Sequence, residues 1–367
     1  MKTLNWRNFD FLLLGAVAVL TIFGITMIRS AVAGNIELLE LNLVGRQSIF
    51  ALAGFVVIII VSMIDYHFWA SISRTIYIVM VIFLAILFAV GAVLFGSARW
   101  FDTGVILIQP SELAKIVVIL VLANFFSVHK SEIHDLRVVG KSLLFTLGIV
   151  IWILLQPNLS TSIVIFVLWF AMLWVSGLQL KHLFAFIGVG ILAPFVSFPF
   201  LVDYQKRRIL NFVFPDLEAR HGDIYNIQQA LISIGSGGLF GQGYGHGSQV
   251  QLRFLKVRHS DFIFSAIAEE FGFIGSVFVL LLLLFVIMRC LRAARLAKDT
   301  YGALVAFGVA VLIAFQTIVN IGVNLNLMPA TGLTMPFISY GGSSLLSILL
   351  GIGLVESVVL RHKTLEF

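Results

Sequence analysis

The 367-residue chain is 60% hydrophobic and only 11% charged, with a mean hydropathy of +1.06 and a formal net charge of +6. A water-soluble domain of this length cannot hide so much apolar surface in one core, so the composition excludes an ordinary soluble protein. It predicts an integral membrane protein.

Apolar stretches long enough to cross about 30 Å of hydrocarbon recur along the whole chain. We therefore expect an all-α polytopic membrane protein with about ten transmembrane helices. The first stretch has no small-residue cleavage site and is followed at once by further spans, so it should remain as an anchor. The predicted spans begin near Phe11, Ser48, Arg74, Ser111, Lys141, Thr161, His182, Phe262, Tyr301 and Ser339.

The chain is expected to form a single transmembrane domain over residues 1–367, because it shows no internal repeat, low-complexity tract or separate soluble stretch. Residues 203–260 are predicted to form a large extracytoplasmic loop between the seventh and eighth spans, with interfacial or re-entrant parts. The single cysteine, Cys290, excludes an internal disulfide, a cysteine-based zinc site and an iron–sulfur cluster.

Lysine and arginine are concentrated on the side of the predicted bundle that carries both termini. This bias predicts a multi-pass protein of the cell membrane with both termini in the cytoplasm. Segment 203–260 is an exception to this bias. It is predicted to lie on the side opposite the termini, yet its lysines and arginines outnumber its acidic residues. Such cations indicate an anionic partner, either outer-leaflet headgroups or a diphosphate. The cations are Lys206, Arg207, Arg208, Arg220, Arg253, Lys256 and Arg258, and the acids are Asp203, Asp216, Glu218 and Asp223.

The same segment contains GSGGLFGQGYGHG, with seven glycines from Gly235 to Gly247. Glycine-rich backbone can cradle a phosphate, but it suits a flexible re-entrant loop equally well, and the run matches no nucleotide-binding motif. Upstream, IYNIQQALISI has helical apolar spacing with interspersed polar residues. We expect it to lie in the membrane interface as an amphipathic helix and not to span.

Two groups of polar residues fall within predicted spans, where each unpaired charge is costly. In QPSELAK, Glu112 and Lys115 share a helical face and can neutralise each other, either as a structural pair or, with Gln109 and Ser111, as part of a substrate cavity. In QTIVNIGVN, Gln316, Asn320 and Asn324 form a stripe with i, i+4 spacing. Interhelical hydrogen bonding is the simplest interpretation of that stripe.

A third group lies in KVRHSDFIFSAIAEEFG, residues 256–272. Asp261 is predicted to begin a helix, where it either caps the helix dipole or is a partly desolvated carboxylate able to accept a proton. Glu269 lies about 12 Å deeper on roughly the same side, and Glu270 points nearly opposite. One of these glutamates can face a cavity, and the other needs a partner.

These residues resemble a known family. HSDFIFSAIAEEFG, QPSELAKI, ISIGSGGLFGQGYGHGSQ, RWFDTG, LQPNLSTS and PFISYGGSS occur nearly end to end and look like the SEDS family, and the short termini resemble its RodA branch more than FtsW or SpoVE. The resemblance implies a ten-helix membrane glycosyltransferase that polymerises lipid II into glycan strands in cell elongation and rod-shape maintenance. It also implies a class B penicillin-binding protein and the elongation machinery as partners, with no nucleic acid.

By the same resemblance, Asp261 takes the position of the family's essential aspartate, Glu112 and Lys115 that of a cavity pair, and Arg208 that of a loop arginine. The substrate-binding residues implied by the family motifs are Gln109, Ser111, Trp100, Ser233, Ser236, Asn320 and Ser343. LQPNLSTS departs from the family pattern, because Asn158 and Ser160 stand where an aspartate and a glycine are usual.

The implied reaction sets the expected residue roles. A β-1,4 product from an α-linked diphosphate donor requires one inverting displacement, and such a step needs a base, for which Asp261 is the candidate. The departing diphosphate needs positive charge from Arg208, Lys115, loop cations or a divalent ion, Mg²⁺ or Mn²⁺. No other cofactor is expected. Two further classes stay open: a lipid II flippase or transporter, and a scaffold.

Overall fold

The computed structural model of the protein describes residues 8–33, 41–95, 101–102, 107–179, 198–215 and 222–361, with single positions between 181 and 196. These residues are almost entirely helical. A hairpin of β1 (Phe101–Asp102) and β2 (Leu107–Ile108) pairs antiparallel, with Phe101 opposite Ile108. The helices are α1 (Phe11–Val32), α2 (Leu43–Met63), α3 (Tyr66–Phe95), α4 (Pro110–Val128), α5 (Leu136–Leu155), α6 (Leu159–Val175), α7 (Asp203–Val213), α8 (Asp223–Gly237), α9 (Ser248–Gln251), α10 (Ile263–Leu296), α11 (Thr300–Asn324) and α12 (Gly342–Leu360).

Eight of the described helices are long and apolar enough to cross a membrane, and the 17-residue α6 is a shorter apolar helix. Together they correspond to nine of the predicted spans and confirm the all-α polytopic class. The remaining prediction, the span near His182, falls mostly outside the described residues. The 15-residue α8 contains the predicted amphipathic segment and is not among the span-length helices.

Short polar side chains fix where several helices begin. The Asp10 carboxylate accepts a hydrogen bond from the Leu13 backbone N–H at the start of α1 (3.0 Å), and the Asp299 carboxylate accepts from Gly302 at the start of α11 (2.8 Å). Each bond satisfies a donor that the first helical turn leaves unpaired. Six of the nine corresponding spans begin within three residues of the predicted start, whereas α2, α3 and α5 begin five to eight residues earlier than predicted.

Helices α4, α11 and α12 form the buried centre of the bundle. A Cβ atom added at Gly351 of α12 would lie 3.3 Å from Ile116 of α4 and 3.4 Å from Val309 of α11. The missing side chain therefore lets three helices meet at one level. We call the end of the bundle at which α4 and α12 begin and α11 ends the upper end.

A buried charge cluster ties α1 to the lower end. Asp10 forms an ion pair with Arg289 of α10 (2.5 Å), and its backbone N–H donates to the Glu356 carboxylate of α12 (3.1 Å). These contacts join three helices that are remote in sequence. They hold the start of α1 against α10 and α12.

Helix α10 is interrupted at Gly272, whose φ of 66° and ψ of −163° are not helical. The glycine-rich loop fills the interruption: Gln242 and Gly243 donate backbone hydrogen bonds to the carbonyls of Glu269 and Glu270 (both 2.9 Å). A Cβ at Gly241 would lie 2.2 Å from the Glu270 carbonyl oxygen. Glycine is therefore needed here for close backbone packing.

The phosphate-cradle interpretation is wrong for the centre of this loop. The backbone N–H groups of Gly241, Gln242 and Gly243 all donate to protein carbonyls, so none of the three is available to an anion. The centre of the loop packs against α10, so it is also not the flexible segment that the alternative interpretation expected.

Candidate active site

Asp261 lies in the turn that precedes α10 at the upper end. The helix begins at Ile263 with Phe262 as its N-cap, no side chain caps it, and no acid lies in its first turn. The expectation that Asp261 begins the helix is therefore wrong by two residues, because the chain turns through residue 262 before helical bonding starts. Asp261 therefore precedes the N-cap and is not itself the N-cap residue.

Three consecutive backbone carbonyls around Asp261 are held from outside the turn. The His259 carbonyl accepts from the Tyr340 N–H (2.9 Å), and the Ser260 carbonyl accepts from the Ser339 hydroxyl (2.7 Å). The Asp261 carbonyl accepts from the side-chain amides of Asn320 (3.1 Å) and Asn324 (3.0 Å). The backbone that carries the carboxylate is therefore fixed before any substrate binds.

The amides of α11 also reach two other segments. Asn324 accepts hydrogen bonds from the backbone N–H and the hydroxyl of Ser265 in α10 (3.1 and 2.6 Å), and Asn320 donates to the Leu333 carbonyl (2.9 Å). Interhelical hydrogen bonding is thus confirmed for Asn324. It fails for Gln316, which is fully buried and has no partner for either amide atom among the described residues.

The loop between α11 and α12 supports the turn through residues that sequence reasoning missed. Ser339 accepts from the Met335 N–H (2.8 Å), and its carbonyl accepts from the amide of Gln47 in α2 (3.2 Å). Gln47 also accepts from the Gly341 N–H (3.2 Å). The PFISYGGSS motif marked this loop, but nothing in the sequence pointed to Gln47.

Glu112 and Lys115 form the predicted ion pair, with Nζ 2.7 Å from Oε2. Lys115 is fully buried and Glu112 is 7% exposed, so each charge depends on the other for neutralisation. The Glu112 carbonyl also accepts from the Ser347 hydroxyl of α12 (3.0 Å). This backbone contact joins the upper turn of α4 to α12.

The residues before this pair lie where α4, α6 and α12 begin. The Gln109 N–H donates to the Ser343 hydroxyl (3.0 Å), and Asn158 donates to the Ser111 hydroxyl (3.4 Å). Three of the predicted site residues, Gln109, Ser111 and Ser343, are therefore neighbours at the upper end.

The two departures from the family pattern have structural roles. Asn158 caps α6 by accepting from the Thr161 N–H (3.2 Å), and its amide nitrogen supplies the donor to Ser111, which an aspartate lacks. The Ser160 hydroxyl donates to the Thr331 carbonyl (2.5 Å), a bond that glycine cannot make. Both residues fasten the start of α6 to its neighbours.

The adjacent glutamates of α10 anchor different elements. The buried Glu269 carboxylate accepts from the N–H groups of Gln249 (2.7 Å) and Val250 (3.3 Å), which lie in the short helix α9. Glu270 points the other way and accepts from the Ser30 hydroxyl of α1. Both therefore have protein partners, and the structure does not direct either towards Asp261.

The remaining predicted residues are less closely connected to this site. Ser233 and Ser236 donate to carbonyls within their own helix, α8 (both 2.9 Å). Arg208 is half-buried on α7, and Trp100 lies outside the described residues. Within the part of the chain that the structure covers, no group of three or more His, Cys, Asp or Glu side chains could hold a metal ion.

Arg258 is not available to an external anion. It is 3% exposed, and its guanidinium donates to the carbonyls of Ala31 (2.6 Å) and Leu255 (3.2 Å). Its inclusion among the ligand-binding cations was therefore wrong.

Burial, together with the nearby Arg258 charge, lowers the pKa of His259 to about 4, so this imidazole is neutral beside Asp261 at physiological pH.

Comparison with known proteins identifies the family of this chain. The family model FtsW/RodA/SpoVE, described as cell cycle protein, matches residues 10–364. Peptidoglycan glycosyltransferase MrdB of Escherichia coli K12 is 33% identical over 360 residues, 98% of this chain and 95% of its own. Stage V sporulation protein E of Bacillus subtilis is 36% identical over 319 residues, 85% of this chain and 86% of its own.

Two solved structures share the fold at 30% sequence identity. A chain from a peptidoglycan synthase complex, solved to describe the structural coordination of polymerization and crosslinking, superposes with a TM-score of 0.80 over 96% of this chain and 98% of its own. The crystal structure of the rod shape determining protein RodA of Thermus thermophilus superposes with a TM-score of 0.71 over 98% of this chain and 99% of its own.

Proposed function

The chain belongs to the FtsW, RodA and SpoVE family, and from that premise we propose that it polymerises lipid II into β-1,4 glycan strands. It is a glycosyltransferase of cell wall synthesis. The proposal adds the substrate, the stereochemistry and a role in elongation and rod-shape maintenance.

The observation that carries the proposal is the fixed position of Asp261. Polar side chains and backbone groups from α11 and the following loop hold the carbonyls of residues 259, 260 and 261, while the carboxylate lies beside Gly332, an exposed glycine of that loop. A Cβ added at Gly332 would be 3.8 Å from Asp261 Oδ2. A partly exposed carboxylate that is carried on a fixed backbone is suited to accept a proton from a bound hydroxyl.

In the proposed reaction, the acceptor sugar's hydroxyl oxygen attacks the anomeric carbon of the donor. The new carbon–oxygen bond forms as the bond to the diphosphate breaks, and the diphosphate leaves with the bonding electrons. Asp261 takes the hydroxyl proton, so configuration inverts in a single displacement.

The leaving diphosphate needs stabilisation by nearby positive charge. Lys115 supplies little, because it is fully buried and paired with Glu112 at 2.7 Å. We assign this role to Arg208 and other loop cations. We assign the Glu112–Lys115 pair to shaping the polar floor of the site.

We place the site at the outer face of the cytoplasmic membrane, with both termini in the cytoplasm. Support comes from the lysine and arginine bias of the loops and from the location of Asp261 at the same end as segment 203–260. A class B penicillin-binding protein is the proposed partner. The similarity to a chain from a peptidoglycan synthase complex supports this assignment.

The proposal is tested with the full-length protein, purified with its class B partner and supplied with labelled lipid II in lipid vesicles. We expect glycan ladders whose linkages are β-1,4 and whose formation does not require an energy source. Movement of lipid II between leaflets without polymer would instead indicate the flippase alternative and contradict the proposal.

A further inference from the structure

Gln316 is a buried polar side chain outside the hydrogen-bonded network around Asp261. It is fully buried in α11, and neither its amide nitrogen nor its amide oxygen has a hydrogen-bond partner within the part of the chain described here. The amides of Asn320 and Asn324 on the same helix are both bonded. An unpaired buried amide is destabilising, and such groups are rare unless a water, ion or ligand completes them.

The position of Gln316 follows from helix geometry. It lies one turn below Asn320, which donates to the Asp261 carbonyl. It lies two turns above Val309, which packs with Ile116 of α4 around Gly351. Seven residues span about 10 Å along a helix and return to nearly the same face.

The same distance along α4 leads to the predicted binding residues. Helix α4 runs opposite to α11, because its first residues and the last residues of α11 both lie at the upper end. A 10 Å rise from Ile116 passes Glu112 and reaches Gln109, whose N–H donates to Ser343. Gln316 is therefore at the depth of these polar residues and below Asp261.

We propose that Gln316 binds the sugar portion of the lipid-linked substrate. Its amide oxygen accepts from a substrate O–H or N–H, and its amide nitrogen donates to a substrate oxygen, so the matching substituent is a hydroxyl or a carboxamide. Residues 325–333 fold back over the end of α11, where Leu327 donates to the Gly322 carbonyl (2.7 Å). Because Gln316 is fully buried, the proposed binding requires movement of the residues that cover it. The inference rests on the proposed function and assigns one more residue of the same site.

The binding role and a structural role predict opposite effects of replacing the amide by methionine, which has a similar length and no strong hydrogen-bonding group. A structural amide loses hydrogen bonds when it is replaced, so stability falls. An amide without partners loses none, so stability is unchanged or rises. Gln156 provides the matched control, because it is 1% exposed and its amide donates to the Leu84 carbonyl (3.1 Å).

The experiment compares wild type, Gln316→Met and Gln156→Met as full-length proteins with the class B partner in vesicles. KM and kcat are measured with labelled lipid II, and thermal unfolding is measured on the same preparations. We expect Gln316→Met to raise KM about tenfold, because one or two hydrogen bonds to the substrate are lost. The change in kcat should be smaller. Its melting temperature should equal or exceed that of wild type, whereas Gln156→Met should melt earlier.

Two results would overturn the inference while leaving the proposed function intact. One is an unchanged KM for Gln316→Met. The other is a melting temperature that falls as far as that of Gln156→Met, which would make Gln316 a structural residue. A wild-type protein that forms no polymer from lipid II would refute the proposed function, and the inference with it.

Discussion

Asn324 holds Asp261 and the helix that follows it in one hydrogen-bonded unit. Its amide nitrogen donates to the Asp261 carbonyl (3.0 Å), and its amide oxygen accepts from both the N–H and the hydroxyl of Ser265 (3.1 and 2.6 Å). One buried side chain of α11 thus sets the position of the proposed base relative to α10.

Asn324→Ala should reduce polymerisation although it leaves the Asp261 carboxylate in place. Displacement of a catalytic group by about 1 Å can cost up to about 100-fold in rate, so we expect kcat to fall about 10- to 100-fold. The measurement is turnover of labelled lipid II per folded, monodisperse protein. Asn124→Ala is the control, because Asn124 donates a comparable bond to Ser73 (2.9 Å) far from the site, and its turnover should stay within about twofold of wild type. Equal rates for both variants would contradict the positioning role of Asn324.

The Glu112–Lys115 pair should show strong coupling in a double-mutant cycle. Lys115→Met leaves the Glu112 charge buried without a partner, which costs about 3–5 kcal/mol. The double variant Glu112→Gln, Lys115→Met removes both charges and should regain most of that stability in thermal unfolding. We expect its polymerisation to remain at least tenfold below wild type, the tenfold figure corresponding to about 1.4 kcal/mol. Full activity in a stable double variant would restrict the pair to a structural role.

Two glycines of the same segment should respond oppositely to alanine. Gly241 has a φ of +81°, and an added Cβ would meet the Glu270 carbonyl oxygen at 2.2 Å, so Gly241→Ala should destabilise the protein by roughly 3 kcal/mol or more. Gly235 lies within α8 and has no atom within 4 Å of an added Cβ. Gly235→Ala should be neutral or stabilising by about 0.5–1 kcal/mol. Thermal unfolding of both variants provides the comparison, and similar melting temperatures would refute the packing explanation.

His259 should make the protein less stable in acid. Its pKa is lowered to about 4 in the folded protein, against about 6.5 when unfolded, so the unfolded state binds more protons between these values. The stability that the neutral imidazole contributes is fully present above about pH 6.5 and is lost as the pH falls towards 4. By pH 5 the free energy of unfolding has fallen by roughly 2 kcal/mol. His259→Gln should lessen the fall in melting temperature between pH 7.5 and pH 5. An identical fall in both proteins would show that His259 is not responsible.

The helical architecture was predictable because the length of an apolar run determines whether a helix can cross a bilayer. The Glu112–Lys115 pair was predictable because i, i+3 spacing places both residues on one face. In each case the information is local in sequence.

The features that the sequence did not predict depend on contacts between segments that are distant in the chain. Three such contacts have no local sequence pattern. Gly241 enters an interruption of α10, Arg258 is bonded to the end of α1, and Gln47 supports Ser339. The start of α10 was misplaced by two residues because a carboxylate before an apolar run resembles a helix cap. Gln316 shared its spacing with Asn320, and only the fold distinguishes the unpaired amide from the bonded one.

The central claim is that the Asp261 carboxylate accepts the proton of the attacking hydroxyl. The most direct test is single-turnover glycan formation from labelled lipid II by Asp261→Asn, with Asp203→Asn, an exposed carboxylate of α7, as control. We predict that Asp261→Asn folds with its partner and forms product at least about 100-fold more slowly, the lower range of general-base contributions, while Asp203→Asn matches wild type. Product formation by Asp261→Asn at the rate of Asp203→Asn would contradict the account.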